Sequence, residues 1–551
     1  MDGNDMVNLC FRRPAATTAV LAIVGAIILG TTSGVKSEVT QFHTAHRCVA
    51  CHNGMSTRSG EDISFGLAWR PTMMANSSRD PYWQAGVRHE TMDHPKSQQS
   101  IEDECAICHM PMARFESRQA GRAGRVFAHL SFLPQDRSDL LAADGVSCAL
   151  CHQITAAKLG SDESFTGGFH IDPPDARGQF SAFGPYSPNE GHIDLMHSST
   201  GGFRPTESTH ISSSEVCAVC HTLITKSLGP GGEVITDFPE QVPYQEWQHS
   251  VYRKTRSCQS CHMPVVVEPV AATSVLGEPR TGVSRHTFSG GNFFVTGILN
   301  RHRSELSVQA MPDELAQSAR RTQAHLREES AVISLANAKI AAGRMEIEIT
   351  IENRAGHKFP TAYPSRRVWL HVIVRDRDDR IIFESGAFKA NGAIAGNDND
   401  EDATRFEPHY DEICSADQVQ IYEAILGDGN GKVTTGLLHA VGYLKDNRLL
   451  PRGFDKKRAG KNIAVVGSAA GDENFAGGGD RVRYSVALGK ALGPFRVEVE
   501  LWYQPVSYRW AMNLRSYDAR ETRRIVQYFE EAAPSSALVV ARSERSGVDN
   551  K

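Results

Sequence analysis

The sequence predicts an α+β protein in two parts. The first part is loop-rich and mainly helical, and the second is a β-sandwich followed by a carboxyl-terminal helix. Two observations favour this division. Five short motifs containing cysteine and histidine lie between residues 48 and 262, in a stretch with few sustained helical or strand periods. From residue 345 onward, apolar and polar residues alternate, a pattern typical of half-buried strands.

The overall composition is that of an ordinary globular protein. The chain has 551 residues, of which 40% are hydrophobic and 22% are charged. These values exclude a disordered, collagen-like or polytopic membrane protein, and the length predicts two to four domains. The formal net charge is -5. A nucleic-acid partner is not expected, because such proteins normally present a strongly basic face.

The amino-terminal segment 1–37 predicts an export signal. Arg12 and Arg13 precede an uncharged, largely apolar stretch at residues 15–30. This stretch is shorter than the roughly 20 residues that span a bilayer comfortably, so cleavage is favoured and a retained membrane anchor is the alternative. Cys10 precedes the stretch, where a lipoprotein cysteine would not lie.

The cysteines carry the most specific signal in the sequence. Ten of the twelve form pairs with two intervening residues, and a histidine follows each pair directly. In this spacing two thiols can bond the two vinyl groups of one haem, while the adjacent imidazole binds the iron axially. The sequence therefore predicts five c-type haems, held by Cys48, Cys51 and His52 (CVACH), Cys105, Cys108 and His109 (CAICH), Cys148, Cys151 and His152 (CALCH), Cys217, Cys220 and His221 (CAVCH), and Cys258, Cys261 and His262 (CQSCH).

Zinc and disulfides are the alternatives for these cysteines. A two-residue spacing also suits tetrahedral zinc sites, but none of the five motifs has the His-x3-5-His partner of a zinc finger. Disulfides within the pairs would close very small loops and constrain the chain little. Haem attachment is thus the favoured interpretation.

Histidines are numerous enough to supply second axial ligands. The chain has 22 histidines, so 17 remain beyond the five motifs. Two imidazoles per iron suit electron transfer, whereas Met73 or Met74 as a ligand would raise a haem potential. His409 is a weaker candidate, and an ordinary hydrogen bond is the alternative for each residue. The candidate distal ligands are His43, His46, His89, His210, His249, His286 and His357.

The second part of the chain is predicted from its periodicity. Residues 312–329 form a linker helix that begins at Pro312, and a β-sandwich occupies roughly residues 330–515. The domains are therefore a haem domain at 38–311, the linker helix, and a sandwich domain with helix and tail at 330–551. The patterns behind this division are Met345, Ile347, Ile349 and Ile351, then WLHVIV from Trp369, then Phe495, Val497, Val499, Leu501 and Tyr503, and finally a helix from Asp518 to Ala532.

A lone cysteine, an acidic run and a glycine-rich segment in the second part of the chain do not predict functional sites. Cys414 is expected to be a buried or inert thiol. The acidic run at residues 398–402 lacks the spacing of a calcium loop, so calcium is disfavoured and a solvated acidic loop is expected. GGGD at residues 477–480 predicts a turn before a strand, and the chain contains no Rossmann or P-loop motif.

Several longer motifs resemble one family. IEDECAICHMP, SEVCAVCHT, EQVPYQEW, CQSCHMP, HTFSGGN and NRAGHKFPT are similar to segments of bacterial multihaem cytochrome c proteins related to the cytochrome c-554 group. The similarity covers most of the chain beyond the predicted signal. It implies periplasmic or cell-surface electron transfer through closely packed haems, and it favours His286 and His357 as distal ligands.

Three functions are compatible with the sequence. The leading hypothesis is an electron carrier that performs no bond chemistry. The second is an oxidoreductase in which one open haem iron acts on a small nitrogen or sulfur compound, with His89 or His192 as acid or base. Nitrite reductases of this kind often carry a CxxCK motif, which is absent here. The third is a structural subunit that docks on a membrane complex or polymerises.

The expected location is the periplasm or another extracytoplasmic site, either anchored to the inner membrane or exported to the cell surface. Expected partners are redox proteins, either other cytochromes or a membrane quinone-linked complex. Haem propionates would add to the net charge of -5. Partners with basic patches around their redox sites are therefore favoured.

Overall fold

A computed structural model of the chain describes residues 40–130 and 134–549. The predicted export signal at 1–37 and Cys10 lie outside these residues. From Gln41 onward the chain forms one compact unit. The described part contains both helices and sheets, as the α+β prediction requires. No helix within it is both long and apolar enough to cross a membrane.

Short helices dominate the region that carries the cysteine motifs. The first cysteine of each motif lies in a helix, and in the first and fourth motifs that helix ends before the second cysteine. The helices of this region are α1 (His46–Val49), α2 (Phe65–Trp69), α3 (Pro81–Asp93), α4 (Gln98–His109), α5 (Pro111–Gln119), α6 (Arg137–Ala143), α7 (Cys148–Cys151), α8 (Glu190–Thr200), α9 (Ser214–Ala218), α10 (Pro243–Gln248), α11 (Cys258–His262) and α12 (Phe293–Arg301).

Three two-stranded sheets lie between these helices. The first pair is parallel and the other two pairs are antiparallel. They connect the helical segments without forming a larger sheet. The pairs are β1 (Phe180–Gly184) with β2 (Phe203–Glu207), β3 (Leu223–Leu228) with β4 (Val234–Gln241), and β5 (Val270–Ala271) with β6 (Pro279–Arg280).

A long helix and longer strands follow. Helix α13 spans Pro312–Glu329, with Glu314 accepting the Met311 N–H at its amino terminus. The strands beyond it are β7 (Ala331–Ala341), β8 (Arg344–Asn353), β9 (Arg367–Arg375), β10 (Ile381–Ser385), β11 (Glu412–Ile413), β12 (Ile421–Asp428), β13 (Val433–Thr434), β14 (Ala440–Asp446), β15 (Gly479–Ala487), β16 (Phe495–Gln504) and β17 (Leu538–Val548).

These strands form two sheets. Four strands follow the order β11-β15-β8-β7, and seven form the second sheet, in which β13-β12-β9-β16-β17 run in order while β10 pairs with β9 and β14 with β12. Alternate residues of both sheets, such as Ile349 of β8 and Val499 of β16, belong to one buried hydrophobic cluster. Burial of every second side chain is the reason that the period-two pattern indicated strands here.

Three short helices complete the second region: α14 (Asp398–Glu401), α15 (Tyr508–Asn513) and α16 (Arg520–Ala532). Helix α16 buries Ile525, Tyr528 and Phe529, the apolar face that the sequence indicated. It packs against α3, where Arg88 and Glu521 form an ion pair of 3.0 Å. Residues 40–311, which carry the cysteine motifs, are called the haem-motif region below, and residues 330–549, which contain the long strands, are called the strand region. These two regions therefore share a contact surface.

The structure corrects two expectations about this region. The acidic run is not simply a solvated loop, because Asp400 is buried and forms an ion pair of 2.8 Å with Arg367 of β9. Cys414 is exposed rather than buried, with its Sγ 3.9 Å from a carboxylate oxygen of Glu412. In both cases the exposure of the side chain depends on distant parts of the chain, which the local sequence does not indicate.

Candidate multihaem site

Four of the five motif histidines are oriented by a backbone carbonyl. A carbonyl oxygen can only accept, so the Nδ1 atom of each ring must donate and the Nε2 lone pair remains available to a metal. The donors and acceptors are His52 to Ala272 at 2.6 Å, His109 to Ser77 at 3.0 Å, His152 to Phe183 at 2.6 Å, and His262 to Ser289. This orientation is the one that an axial haem ligand needs.

All five imidazoles are held in the neutral form. Burial lowers the pKa of His109 and of His221 to about 4. It also lowers the pKa of His52, His152 and His262. His221 differs from the other four motif histidines in being exposed. Neutral imidazole is the form that binds metals.

Two motif histidines face a second histidine at a separation that fits one iron. The ring centroids of His152 and His286 are 6.4 Å apart with an interplanar angle of 17°, and those of His262 and His357 are 6.2 Å apart at 10°. Two metal–nitrogen bonds of about 2 Å each, plus about 1 Å from each nitrogen to its ring centre, give a separation of about 6 Å. The rings thus fit bis-imidazole ligation.

The two distal rings are oriented in the same way as the motif histidines. Nδ1 of His286 donates to the Ser284 carbonyl at 3.1 Å, and Nδ1 of His357 donates to the Lys358 carbonyl at 2.9 Å. Their Nε2 atoms therefore stay available for a metal. The structure brings together these two sequence-predicted ligands with two of the motif histidines.

The cysteine pairs form one continuous cluster. Thiols of different motifs lie close enough to shift one another's pKa, and the pairs are Cys48 with Cys148, Cys108 with Cys220, and Cys217 with Cys258. Cys151 also interacts electrostatically with Cys217 and Cys220. Every motif therefore has a cysteine near a cysteine of another motif, so groups attached to these thiols would be neighbours.

Two other predicted distal ligands have their ring nitrogens bound to protein groups. Nε2 of His89 lies 3.1 Å from the Asp93 carboxylate. His210 makes a hydrogen bond with the Ser208 hydroxyl at 2.6 Å through Nδ1 and with the Ile154 carbonyl at 2.7 Å through Nε2. In this arrangement both ring nitrogens of His210 are occupied, whereas His89 has only its Nε2 atom paired and its Nδ1 lies 4.0 Å from Glu90.

The remaining candidates lie at the surface or in packing positions. His46 and His249 are exposed, and His43 packs edge-on against Phe203 with centroids 5.9 Å apart. Met73 and Met74 are partly buried and pack against two different hydrophobic clusters. Among the described residues, no ring contact or hydrogen bond joins any of these side chains to a motif histidine, so their role as ligands remains a prediction.

Two histidines that the sequence analysis did not select lie near the site. The ring of His325, on α13, is 5.5 Å from that of His262 at an angle of 55°, and burial lowers the pKa of His325 to about 4. His94 is buried, and its Nε2 has no hydrogen-bond partner among the described residues. A usable signal for His325 was its position three residues after Thr322, which is buried on the inward face of α13.

His409 belongs to a closed polar network rather than to the haem site. Its Nδ1 accepts amide hydrogen bonds from Gln420 at 2.9 Å and Asn447 at 3.1 Å. The proton must then lie on Nε2, which donates to Asp472 at 3.1 Å, with Asp480 at 3.8 Å. A protonated Nε2 cannot ligate a metal, so this cluster of potential metal ligands carries no metal-site interpretation.

Comparisons with known proteins give a likeness of fold. No family model and no curated protein matches the sequence. Among solved structures, the penta-heme cytochrome c552 from Thermochromatium tepidum matches with a TM-score of 0.50 and 15% sequence identity, covering 92% of this chain and 99% of that chain. The relation to the cytochrome c-554 group stays a prediction. The chain therefore shares its fold, over nearly its whole length, with a multihaem cytochrome.

Proposed function

We propose that this protein is a periplasmic or cell-surface c-type cytochrome that carries electrons along five covalently bound haems. The observation that carries the proposal is the pairing of His152 with His286 and of His262 with His357, at the separation that one iron requires. The contiguous cluster of cysteine pairs adds to it, because a wire needs neighbouring redox centres.

The chain supplies every group that such haems need. The two cysteines of each motif would form the thioether bonds, and the following histidine would bind iron through the Nε2 atom that its Nδ1 contact leaves available. A bound haem supplies one-electron chemistry. The protein fixes the positions of the rings, encloses them, and sets the local charge.

Partner choice follows from charge. The net charge of -5 favours redox partners with basic patches, either other cytochromes or a membrane quinone-linked complex. Such association weakens as ionic strength rises. The predicted signal at 1–37 supports an extracytoplasmic location, cleaved or anchored, and the two sheets that share one cluster support the interpretation of residues 330–515 as a β-sandwich.

Haem counting and electron paramagnetic resonance test the proposal. The holoprotein would be produced together with the haem-maturation machinery, and haem per chain measured as the pyridine haemochrome. We expect five haems per chain and only low-spin ferric signals. A preparation that is folded and exported but holds fewer than five haems would overturn it.

A second function is supported by a cavity of about 720 Å³ next to α3. Asp93 is one of the residues that line this cavity. Its carboxylate accepts a hydrogen bond from the Tyr517 hydroxyl at 2.9 Å and lies 3.1 Å from Nε2 of His89 and 3.6 Å from Nδ1 of His439. Although burial opposes a positive charge there, Asp93 and Glu90 raise the pKa of His89. Such groups suit proton transfer to a small substrate.

This second function predicts an oxidoreductase with one open iron. Glu90, next to His89, lies close enough to Cys105 of the second motif to contribute to the raised pKa of that thiol, after the larger effect of burial. His192, the other acid or base candidate, instead donates from Nε2 to the Leu276 carbonyl at 2.8 Å. A stoichiometric high-spin signal that changes on addition of nitrite, hydroxylamine or sulfite, with turnover lost in His89→Gln, would favour the enzyme over the carrier.

A further inference from the structure

A buried group of four charges lies directly beside His357. Lys358 Nζ is 2.6 Å from an Asp446 carboxylate oxygen, and Arg448 contacts Asp446 at 2.8 Å and Glu246 at 3.2 Å. The four side chains are no more than 5% exposed. Two cations and two anions make the group neutral overall, although removing charges from water is costly.

One of these four residues, Glu246, holds the turn that carries His357. Glu246 accepts from the Lys358 peptide N–H at 3.1 Å and from the Thr361 hydroxyl at 2.5 Å. On the other side, the Asn353 amide donates to the His357 carbonyl at 2.9 Å. Because the Lys358 carbonyl also accepts from the His357 ring, the hold on the Lys358 peptide is transmitted to the imidazole.

A plain structural role does not account for this arrangement. Replacing a buried ion pair with apolar residues of similar size is often neutral or stabilising, so burial of four charges is a poor way to gain stability. The cluster occurs where a rigid turn is needed, next to the ring that lies 6.2 Å from His262. Charges buried at such a site act on a nearby redox centre with little solvent screening.

We propose that Lys358, Asp446, Arg448 and Glu246 are positioning residues that orient His357 and balance the charge next to the iron ligated by His262 and His357. This inference rests on the proposed function. One-electron reduction of ferric haem removes one positive charge. A nearby negative charge therefore favours the oxidised form, and its removal raises the midpoint potential.

Two substitutions of opposite charge test the proposal. Asp446→Asn leaves one unbalanced positive charge, whereas Lys358→Met leaves one unbalanced negative charge. In a mediated potentiometric titration of the holoprotein, with dithionite as the electron source, we expect one of five midpoints to rise in Asp446→Asn and one to fall in Lys358→Met. Shifts of the same sign, or no shift in either variant, would overturn the charge-balancing role.

The matched control is the Arg367–Asp400 pair, which is equally buried at 2% and 1% exposure but lies in β9 and the acidic run. Asp400→Asn is expected to lower stability and leave all midpoints in place. If the single variants fail to fold, Lys358→Met combined with Asp446→Leu keeps the net charge and fills the space. The five midpoint potentials of this double variant should match those of the wild type. A shift of one midpoint as large as the shift expected of either single variant would overturn the proposal.

The orienting role has its own readout. Glu246→Gln weakens the hold on the Lys358 peptide, and we expect altered g values for one low-spin haem with all five haems retained. Unchanged g values would overturn this role. A protein that lacks haems, or that keeps five low-spin haems in His357→Ala, would instead contradict the proposed function or its ligand assignment. The two failures are therefore distinguishable.

Discussion

The haem-motif region and the strand region reach a buried interior by different means. In the strand region, alternate residues of long strands fill one large hydrophobic cluster. The haem-motif region has short helices and smaller, separate clusters, such as the one formed by Met55, Ile63, Val266, Val270 and Val283. A porphyrin is a large apolar body, so a region built around several of them needs fewer apolar side chains. The contrast is the one expected if haem groups fill part of the interior of this region.

The largest effect on the haem-motif region is expected when one haem attachment motif is removed. The paired change Cys217→Ser with Cys220→Ser deletes the attachment motif whose thiols lie near those of two other motifs. We expect loss of one fifth of the pyridine haemochrome signal, and proteolysis within residues 40–311 while the strands beyond residue 330 stay protected. Cys414→Ser, at an exposed thiol, is the control and should change neither.

The next effect concerns one iron. His357→Ala should convert one low-spin signal to high-spin in paramagnetic resonance of the ferric holoprotein, with all five haems retained. His371→Ala is the matched control, because His371 is a partly buried strand histidine whose ring contacts Glu384 at 2.9 Å and Glu500 at 3.4 Å. A signal that stays low-spin would indicate that His325, 5.5 Å from His262, takes the position instead.

The strand region should respond to loss of side-chain volume. Ile349→Ala, at a fully buried position of β8, is expected to lower the free energy of unfolding by about 2–5 kcal/mol, without changing the haem count. Val266→Ala removes volume from the small cluster of the other region and should cost less. Urea titration followed by circular dichroism measures both. Equal losses would contradict the idea that the two regions are stabilised differently.

The sequence predicted what is encoded locally. A haem attachment motif is contiguous, because both thiols and one imidazole must bind the same group. Cys148, Cys151 and His152 can therefore be recognised from five consecutive residues of the sequence. Strand alternation is local as well. A distal ligand can come from anywhere in the chain, so the sequence offered His286 and His357 only among several candidates, and the family resemblance then favoured these two.

The failures have the same physical cause. Asp400 lies in an acidic run whose local pattern indicates solvation, yet Arg367, from a distant strand, accounts for its burial. His94 and His325 were missed because their surroundings form only when separate helices pack. Cys414 was expected to be a buried or inert thiol because free cysteine is usually buried, and its exposed side chain rules out the first alternative only.

The smallest effect concerns a buried carboxyl group that has no cation beside it. Burial raises the pKa of Glu240 to about 7, with a further contribution from nearby Glu90, while the hydrogen bond from Thr225 opposes the shift. The folded state then binds this proton more tightly than the unfolded state does, so its stabilising effect is complete below about pH 4 and is lost as pH rises to about 7. Glu240→Gln should therefore leave stability at pH 4 nearly unchanged and raise it at pH 8 by up to about 3 kcal/mol. Thermal unfolding of the holoprotein at both pH values measures the difference. An equal gain in stability at both pH values would mean that repacking of the side chain, and not its ionisation, is responsible.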